Sequence, residues 1–168
     1  MPVIFLIGFM GSGKTTFGKK LAAKLKVEFI DIDEMVVAKY NVTGIKELIE
    51  TNGMDFFRKA ESDILKSLDQ NDAVVSTGGG TPCYFDNMDW MKSRGVVVFL
   101  QLDEGIIFSR LKTTNLGQRP LLKDLDDEGL KTFIHEKLQE RMPYYRQADI
   151  TFNPVHEKID ALVAKMAI

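Results

Sequence analysis

The chain of 168 residues has one cysteine, Cys83, so it can form neither an internal disulfide nor an all-cysteine metal site. That scarcity suits a reducing compartment, and the expectation is a cytoplasmic protein. Histidine is almost as scarce. His135 and His156 both lie in helical patterns without partners at metal-ligand spacing, so both are assigned to helix surface. Neither sign of charge prevails: 22 Lys+Arg against 24 Asp+Glu leave a formal net charge of -2. This argues against bulk nucleic-acid binding through a basic face, although a few arginines can still grip a small anion. No apolar run approaches the roughly 20 residues of a membrane-spanning helix. The apolar start, Met1 to Ile7, has no basic leader and runs into glycines, unlike a signal peptide. Repeats and low-complexity tracts are missing as well. What remains is the balance of a soluble globular protein, 45% apolar and 27% charged, long enough for one sizeable core.

Five short apolar runs read as buried strands: Val3–Ile7, Val27–Ile30, Ala73–Val75, Val96–Leu100 and Asp149–Phe152. Helical stripes lie between and after them. Phe17, Leu21, Ala22 and Leu25 share one face. Leu130, Phe133, Ile134 and Leu138 share another, and Val155, Ile159, Leu162, Val163 and Met166 form a third. Trp90 fits a helix packed on the sheet. The alternation predicts an α/β protein, a parallel sheet with helices on both faces. Two stretches depart from it. Asp31 to about Ser67 is largely helical but broken at Asn41–Gly44 and Thr51–Gly53, a long insertion between strands two and three. Thr113 to Asp127, rich in Asn, Gly, Pro, Asp and Lys, reads as a mobile surface segment. Both can wall or cover a site at the sheet edge, and neither is a separate domain.

Gly8-Phe9-Met10-Gly11-Ser12-Gly13-Lys14-Thr15 matches G-x-x-x-x-G-K-[ST] in full, between an apolar strand and an amphipathic helix. The glycines let backbone N–H groups turn inward around a phosphate, and the helix N-terminus favours the same anion. Gly11, Ser12, Gly13, Lys14, Thr15 and Thr16 are therefore assigned to a nucleoside triphosphate, ATP being the expected one. Lys14 is to reach the outer phosphates, and the Thr15 hydroxyl is placed to ligate Mg²⁺.

The rest of the chain must supply an acceptor. Asp31-Ile32-Asp33 follows strand two, and in an extended chain residues two apart point the same way, so both carboxylates can face the crevice. One can hold metal-bound water and the other can orient or deprotonate a hydroxyl, unless one merely caps the next helix. Arg58 and Glu61 share a helix face, so Glu61 can steady a guanidinium that grips a carboxylate; a solvated surface ion pair is the alternative. Gly78, Gly79 and Gly80 follow strand three, as a ligand-lining turn or a flexible one. No aspartate ends that strand, which leaves Asp31 as the better metal-side carboxylate. Arg119 sits in the mobile segment, where it can close over the phosphates or remain an exposed loop residue. Arg141 is a second carboxylate clamp or a cation favoured by a helix C-terminus. Cys83, after the glycines, is assigned to packing.

In this order the P-loop, Asp31-x-Asp33, Phe57-Arg58-x-x-Glu61, Gly78-Gly79-Gly80, Arg119-Pro120-Leu121-Leu122 and Arg141-x-Pro143-x-Tyr145-x-x-Ala148 resemble the shikimate kinase family over nearly the whole chain. The resemblance implies a single kinase domain over 1–168 with a five-stranded parallel sheet of order 2-3-1-4-5. It also implies a substrate-binding helical insertion at about 33–67 and a lid at about 112–127. It implies ATP-dependent phosphorylation of the 3-hydroxyl of shikimate, by direct in-line transfer, on the way to chorismate. Asp33 would orient the attacking hydroxyl, and Arg58, Arg141 and the Gly78–Gly80 backbone would hold the shikimate carboxylate. Arg119 would reach the phosphates. Thr15 would ligate Mg²⁺ directly, with Asp31 and Ser76 acting through water. Arg110 and Asn153-Pro154 are the nearest matches to the adenine-sandwiching positions. The implied partners are ATP, Mg²⁺ and shikimate, with no nucleic acid or membrane, and the expected state is a monomer. Val36-Val37 and Gly53-Met54 depart from the usual Ile-Glu and Gly-Glu. Another small-molecule or nucleotide kinase and a noncatalytic ATP-binding module are the rivals.

Overall fold

The structure, a computed structural model, describes residues 1–114, 122 and 124–167. Five parallel strands form one sheet in the order β2-β3-β1-β4-β5. They are β1 (Val3–Ile7), β2 (Glu28–Asp31), β3 (Ala73–Ser76), β4 (Gly95–Leu100) and β5 (Ile150–Phe152). Their apolar runs follow from burial on both faces, since successive residues point to opposite sides. Phe5, Ile7, Val75, Val97 and Phe99 enter the larger core cluster. Ile4, Leu6, Val74, Val98 and Leu100 enter the smaller one, with Leu21, Ala22, Leu162 and Met166 from α1 (Lys14–Leu25) and α8 (Ile159–Met166). The expected α/β class and strand order are both present.

The insertion after β2 is three helices, α2 (Ile32–Tyr40), α3 (Ile45–Asn52) and α4 (Met54–Lys66). Its breaks fall where the sequence marks them. Asn41 (φ 51) ends α2 and Gly53 (φ 91) ends α3, both in backbone that Asn and Gly tolerate best. A 3-10 turn (Thr81–Cys83) and α5 (Asn87–Arg94) lead into β4, and Trp90 of α5 packs edge-on against Phe5 with ring centroids 6.0 Å apart. Then come α6 (Glu104–Thr113) and α7 (Asp127–Tyr145). Half of the expected lid, Arg119, Pro120 and Leu121 included, lies outside the described residues, while Leu122 is buried in the core.

Two local expectations are corrected. Strand two begins at Glu28, because the Val27 N–H donates to Ala22 O at 3.0 Å and closes the end of α1. The last helix starts at Ile159, because Asn153 Oδ1 accepts from the N–H groups of Val155 (3.0 Å) and His156 (3.4 Å) and winds a turn there. Val155 is therefore 46% exposed instead of lying on the apolar stripe, and His156 is in a turn. His135 is on α7 as expected, facing Glu104 across to α6 at 3.0 Å. No helix among the described residues is long and apolar enough to cross a membrane.

Candidate active site

In-register pairing of Leu6 with Ser76 and of Ser76 with Asp31 brings the C-terminal ends of β1, β3 and β2 level at one edge. The turn after β1, the start of α2 and the glycines after β3 therefore converge on one cavity of about 250 Å³. Gly11 (φ 77) and Gly13 (φ 85) hold left-handed backbone that other residues resist. Lys14, the first residue of α1, folds back over this turn. Its ammonium donates to Gly8 O at 2.7 Å and Phe9 O at 3.0 Å, and the residue is only 8% exposed. Thr15 and Thr16 line the cavity beside it. Ser12, buried in the same turn, donates its N–H to Phe9 O.

Arg110 reaches this turn from α6. Its Nη1 donates to Gly11 O at 3.4 Å and would lie 3.1 Å from a Cβ at Gly13, so the missing side chain makes room for the guanidinium. Asn153 stands just past β5, its side-chain oxygen engaged in its own turn, with no hydrogen bond to the P-loop among the described residues.

Asp31 and Asp33 both line the cavity, but not as an extended pair. The helix begins between them, with Asp31 the last residue of β2 and Asp33 in the first turn of α2. Asp31 is a helix cap and a site residue at once. Its Oδ1 accepts from the N–H groups of Asp33 (3.0 Å) and Glu34 (3.3 Å), while its Oδ2 accepts from the Thr15 hydroxyl at 2.9 Å. Ser76, at the end of β3, is buried against the same cavity.

Beside Asp33 lies a cluster of buried charge. Arg58 is 8% exposed and its Nη1 meets Glu61 Oε1 at 3.1 Å, while Glu61 has no exposed surface. This is a buried pair, not a solvated one, because the glycine turn closes over it while α2, α3 and α5 pack around α4. A Cβ at Gly78 would stand 2.5 Å from Glu61 Oε2 and 3.3 Å from Asp33 Oδ1, so both carboxylates press on the same point of backbone. A Cβ at Gly79 would stand 3.0 Å from Arg141 Nη1, and one at Gly80 2.5 Å from Arg58 Nη2. The turn thus threads between the two arginines. Arg141 is buried under α7 with its guanidinium 5.5 Å from the Phe9 ring centre, not displayed at a helix end. Four residues on, the Tyr145 hydroxyl donates to Gly79 O at 2.6 Å and its ring stacks on Phe99. Among the described residues, Asp33 Oδ1 and Arg141 Nη1 have no hydrogen-bond partner.

The electrostatics follow from this crowding. Burial, then the carboxylates of Glu61 and Asp31, push Asp33 up to about 7 against the pull of Lys14 and Arg58. Burial also raises Glu61 against Arg58, the Thr81 hydroxyl and Arg141. Burial holds the Cys83 thiol at about 11, consistent with a packing role. Two contributors have no role assigned from the sequence. Tyr145 stands in the Arg141 motif and shares a helix face with Arg141 at four-residue spacing, which places both toward the glycine turn. Thr81 faces Glu61 only because the chain turns after Gly80, and nothing local marks it.

A glycine turn of P-loop sequence after the first strand of a parallel 2-3-1-4-5 sheet, with carboxylates and two buried arginines beside it, is the arrangement of a P-loop phosphotransferase. Comparison with known proteins narrows this. The family model "Shikimate kinase" matches residues 10–167. A shikimate kinase of Phocaeicola vulgatus is 44% identical over 153 residues, covering 90% of this chain and 86% of the relative. The crystal structure of a shikimate kinase from Bacteroides thetaiotaomicron superposes with a TM-score of 0.87 at 38% identity, over 98% of this chain and 95% of that one. One from Acinetobacter baumannii, in complex with shikimate, does so with a TM-score of 0.87 at 32% identity, over 99% and 91%. The chain belongs to the shikimate kinase family. A gluconokinase from Sinorhizobium meliloti, 19% identical with a TM-score of 0.62 over 99% and 90%, shares the fold alone.

Proposed function

We propose that this kinase transfers the γ-phosphoryl group of ATP to the 3-hydroxyl of shikimate, giving shikimate 3-phosphate toward chorismate and the aromatic amino acids. The observation that carries the reading is a cluster of buried charge: two buried arginines, Arg58 and Arg141, flank a glycine turn beside a carboxylate with an unmatched oxygen. Two guanidiniums there suit a small carboxylate, and the carboxylate suits a hydroxyl.

Arg58, Arg141 and the Gly78–Gly80 backbone hold the shikimate ring by its carboxylate end. Asp33 then accepts a hydrogen bond from the 3-hydroxyl and takes up its proton as the oxygen attacks. Lys14, already inside the P-loop ring, neutralises charge on the transferring group, and Gly11, Ser12, Gly13 and Thr16 cradle the phosphates. Arg110, at the P-loop turn, and Asn153, after β5, would hold the adenine of the nucleotide between them. Arg119, outside the described residues, is assigned to the phosphates, where its charge would offset that of the moving phosphoryl group. The donor set fits Mg²⁺: hard oxygens, with the Thr15 proton already directed at Asp31 so that the hydroxyl lone pairs stay open. No cluster of three His, Cys, Asp or Glu among the described residues makes an all-protein cage, which suits an ion that keeps waters and phosphate oxygens. Thr15 would hold it directly and Asp31 and Ser76 through water, where it would supply neutralisation of phosphate charge. The near-neutral charge argues against nucleic-acid partners and the single cysteine suits the cytoplasm; a monomer that works on small molecules, without a membrane partner, is proposed with them.

The test is ADP release from MgATP by the purified protein with and without shikimate. Release that depends on shikimate is expected. Dependence on gluconate or a nucleoside monophosphate would replace the acceptor, and binding of shikimate and MgATP without turnover would make the chain a noncatalytic module. A sharper prediction concerns Gly80. Its backbone (φ -93, ψ -11) suits any residue, so Gly80→Ala adds no strain, but the new methyl collides with the Arg58 guanidinium. Displacing one clamp should raise the shikimate KM about tenfold and leave the ATP KM unchanged. Steady-state kinetics with each substrate varied decides it, and an unaltered shikimate KM would remove Arg58 from the acceptor site.

A further inference from the structure

An arginine that binds a carboxylate well must have its guanidinium plane fixed before the ligand arrives, because each side chain frozen on binding subtracts from affinity. Arg58 is fixed on several sides. Glu61 takes Nη1, and the backbone at Gly80 closes in on Nη2 and Cζ. The Phe57 ring centre lies 5.2 Å from Cζ, and the ring of Tyr84 lies nearer, at 4.5 Å. That is cation–π distance, and nothing in the P-loop or clamp motifs includes Tyr84.

Tyr84 is itself well anchored. It follows the 3-10 turn in extended backbone (φ -119, ψ 148) and precedes Phe85, which sits at φ 51. The turn is lashed to the helix that carries Arg58. Ser62, one helical turn beyond Arg58, donates its hydroxyl to Asn87 Oδ1 at 2.7 Å, and Asn87 Nδ2 donates to Thr81 O at 2.8 Å. Cys83 N–H returns to Gly80 O at 2.9 Å. Ring and guanidinium are thus carried by two segments tied together through buried polar groups. Tyr84 is 38% exposed, so it reaches the surface beside the buried Arg58.

We propose that Tyr84 is a positioning residue for the acceptor carboxylate: its ring face holds the Arg58 guanidinium in the orientation that meets the substrate. The inference rests on the reading of Arg58 as a carboxylate clamp. It assigns the work to the ring face, not to the hydroxyl.

The experiment compares Tyr84→Leu, Tyr84→Phe, Arg58→Ala and the Tyr84→Leu/Arg58→Ala double variant, with KM and kcat measured for both substrates. Tyr84→Leu should raise the shikimate KM about fivefold, with kcat within about twofold and the ATP KM unmoved. Tyr84→Phe, which keeps the ring, should restore the wild-type value. In the Arg58→Ala background the Tyr84→Leu penalty should vanish, because no guanidinium is left to orient. A fall in kcat with no KM effect, equal losses in Phe and Leu, or a full penalty that persists without Arg58 would each overturn the proposal. If Arg58→Ala raises the shikimate KM and Tyr84→Leu does not, only the role of Tyr84 fails. If Arg58→Ala leaves that KM unchanged, the clamp reading fails with it.

Discussion

Lys14→Met is expected to lower kcat by about a hundred- to a thousandfold, the loss that follows removal of a preorganised charge from a transition state. Methionine is unbranched and fills much of the same space, so the change isolates the ammonium. That ammonium donates to Gly8 O and Phe9 O from a buried position, poised inside the ring of backbone where phosphate is to sit. In so enclosed a place a unit charge acts more strongly than it would in water. Because charge shifts across the phosphoryl oxygens during transfer, most of the effect belongs in kcat. Some must also appear in the ATP KM, since the two carbonyls lose donors that help shape the loop. Shikimate affinity, measured by titration calorimetry without nucleotide, should change little. A variant that retained a third of wild-type kcat would show that Lys14 shapes the loop without serving the transfer.

Much of this site was legible in the sequence, for reasons that differ from residue to residue. The P-loop is read easily because its chemistry is local: a strand, a glycine turn and a helix start, all within one short stretch. The strands are read from burial on both faces, although only resemblance to a family supplied their order, since pairing partners are distant in the chain. Asp31 and Asp33 were located correctly by an argument that fails in detail. Alternation in an extended chain does not apply, because α2 begins between them. They share the cavity because Asp31 caps the helix whose first turn carries Asp33. Arg58 and Glu61 were placed on one face, but their burial was not readable, since a charged pair on a helix is ordinarily solvated. Here the glycine turn covers them, and its closeness to Arg58 is a tertiary fact. Val155 failed for the opposite reason, a local one: Asn153 formed a side-chain turn that overrode the helical period.

Asp33→Asn should separate catalysis from stability at this same crowded point. Asparagine keeps the shape and can still lie near a hydroxyl, but it cannot take a proton, so kcat should fall about a hundred- to ten-thousandfold. The wild-type kcat/KM should rise with pH through about 7 and level off above it, because burial and the neighbouring carboxylates Glu61 and Asp31 hold Asp33 protonated below that point. In Asp33→Asn that limb should be gone. Stability should move the other way. The Asp33 carboxyl binds its proton more tightly in the folded protein, at about 7, than at its ordinary value of 3.8. Its contribution to stability is therefore complete below 3.8 and is lost as pH rises through about 7, where folding must enclose a charge. The variant carries no such charge. Its melting temperature relative to wild type should be higher at pH 8 than at pH 5.5, even as activity collapses. An equal difference at both pH values would show that Asp33 is not held protonated by its surroundings, and a surviving acid limb would assign the titration to another group. If both results come out as expected, this carboxylate is held at a price in stability so that it can lose its proton near neutral pH, where the transfer needs a base.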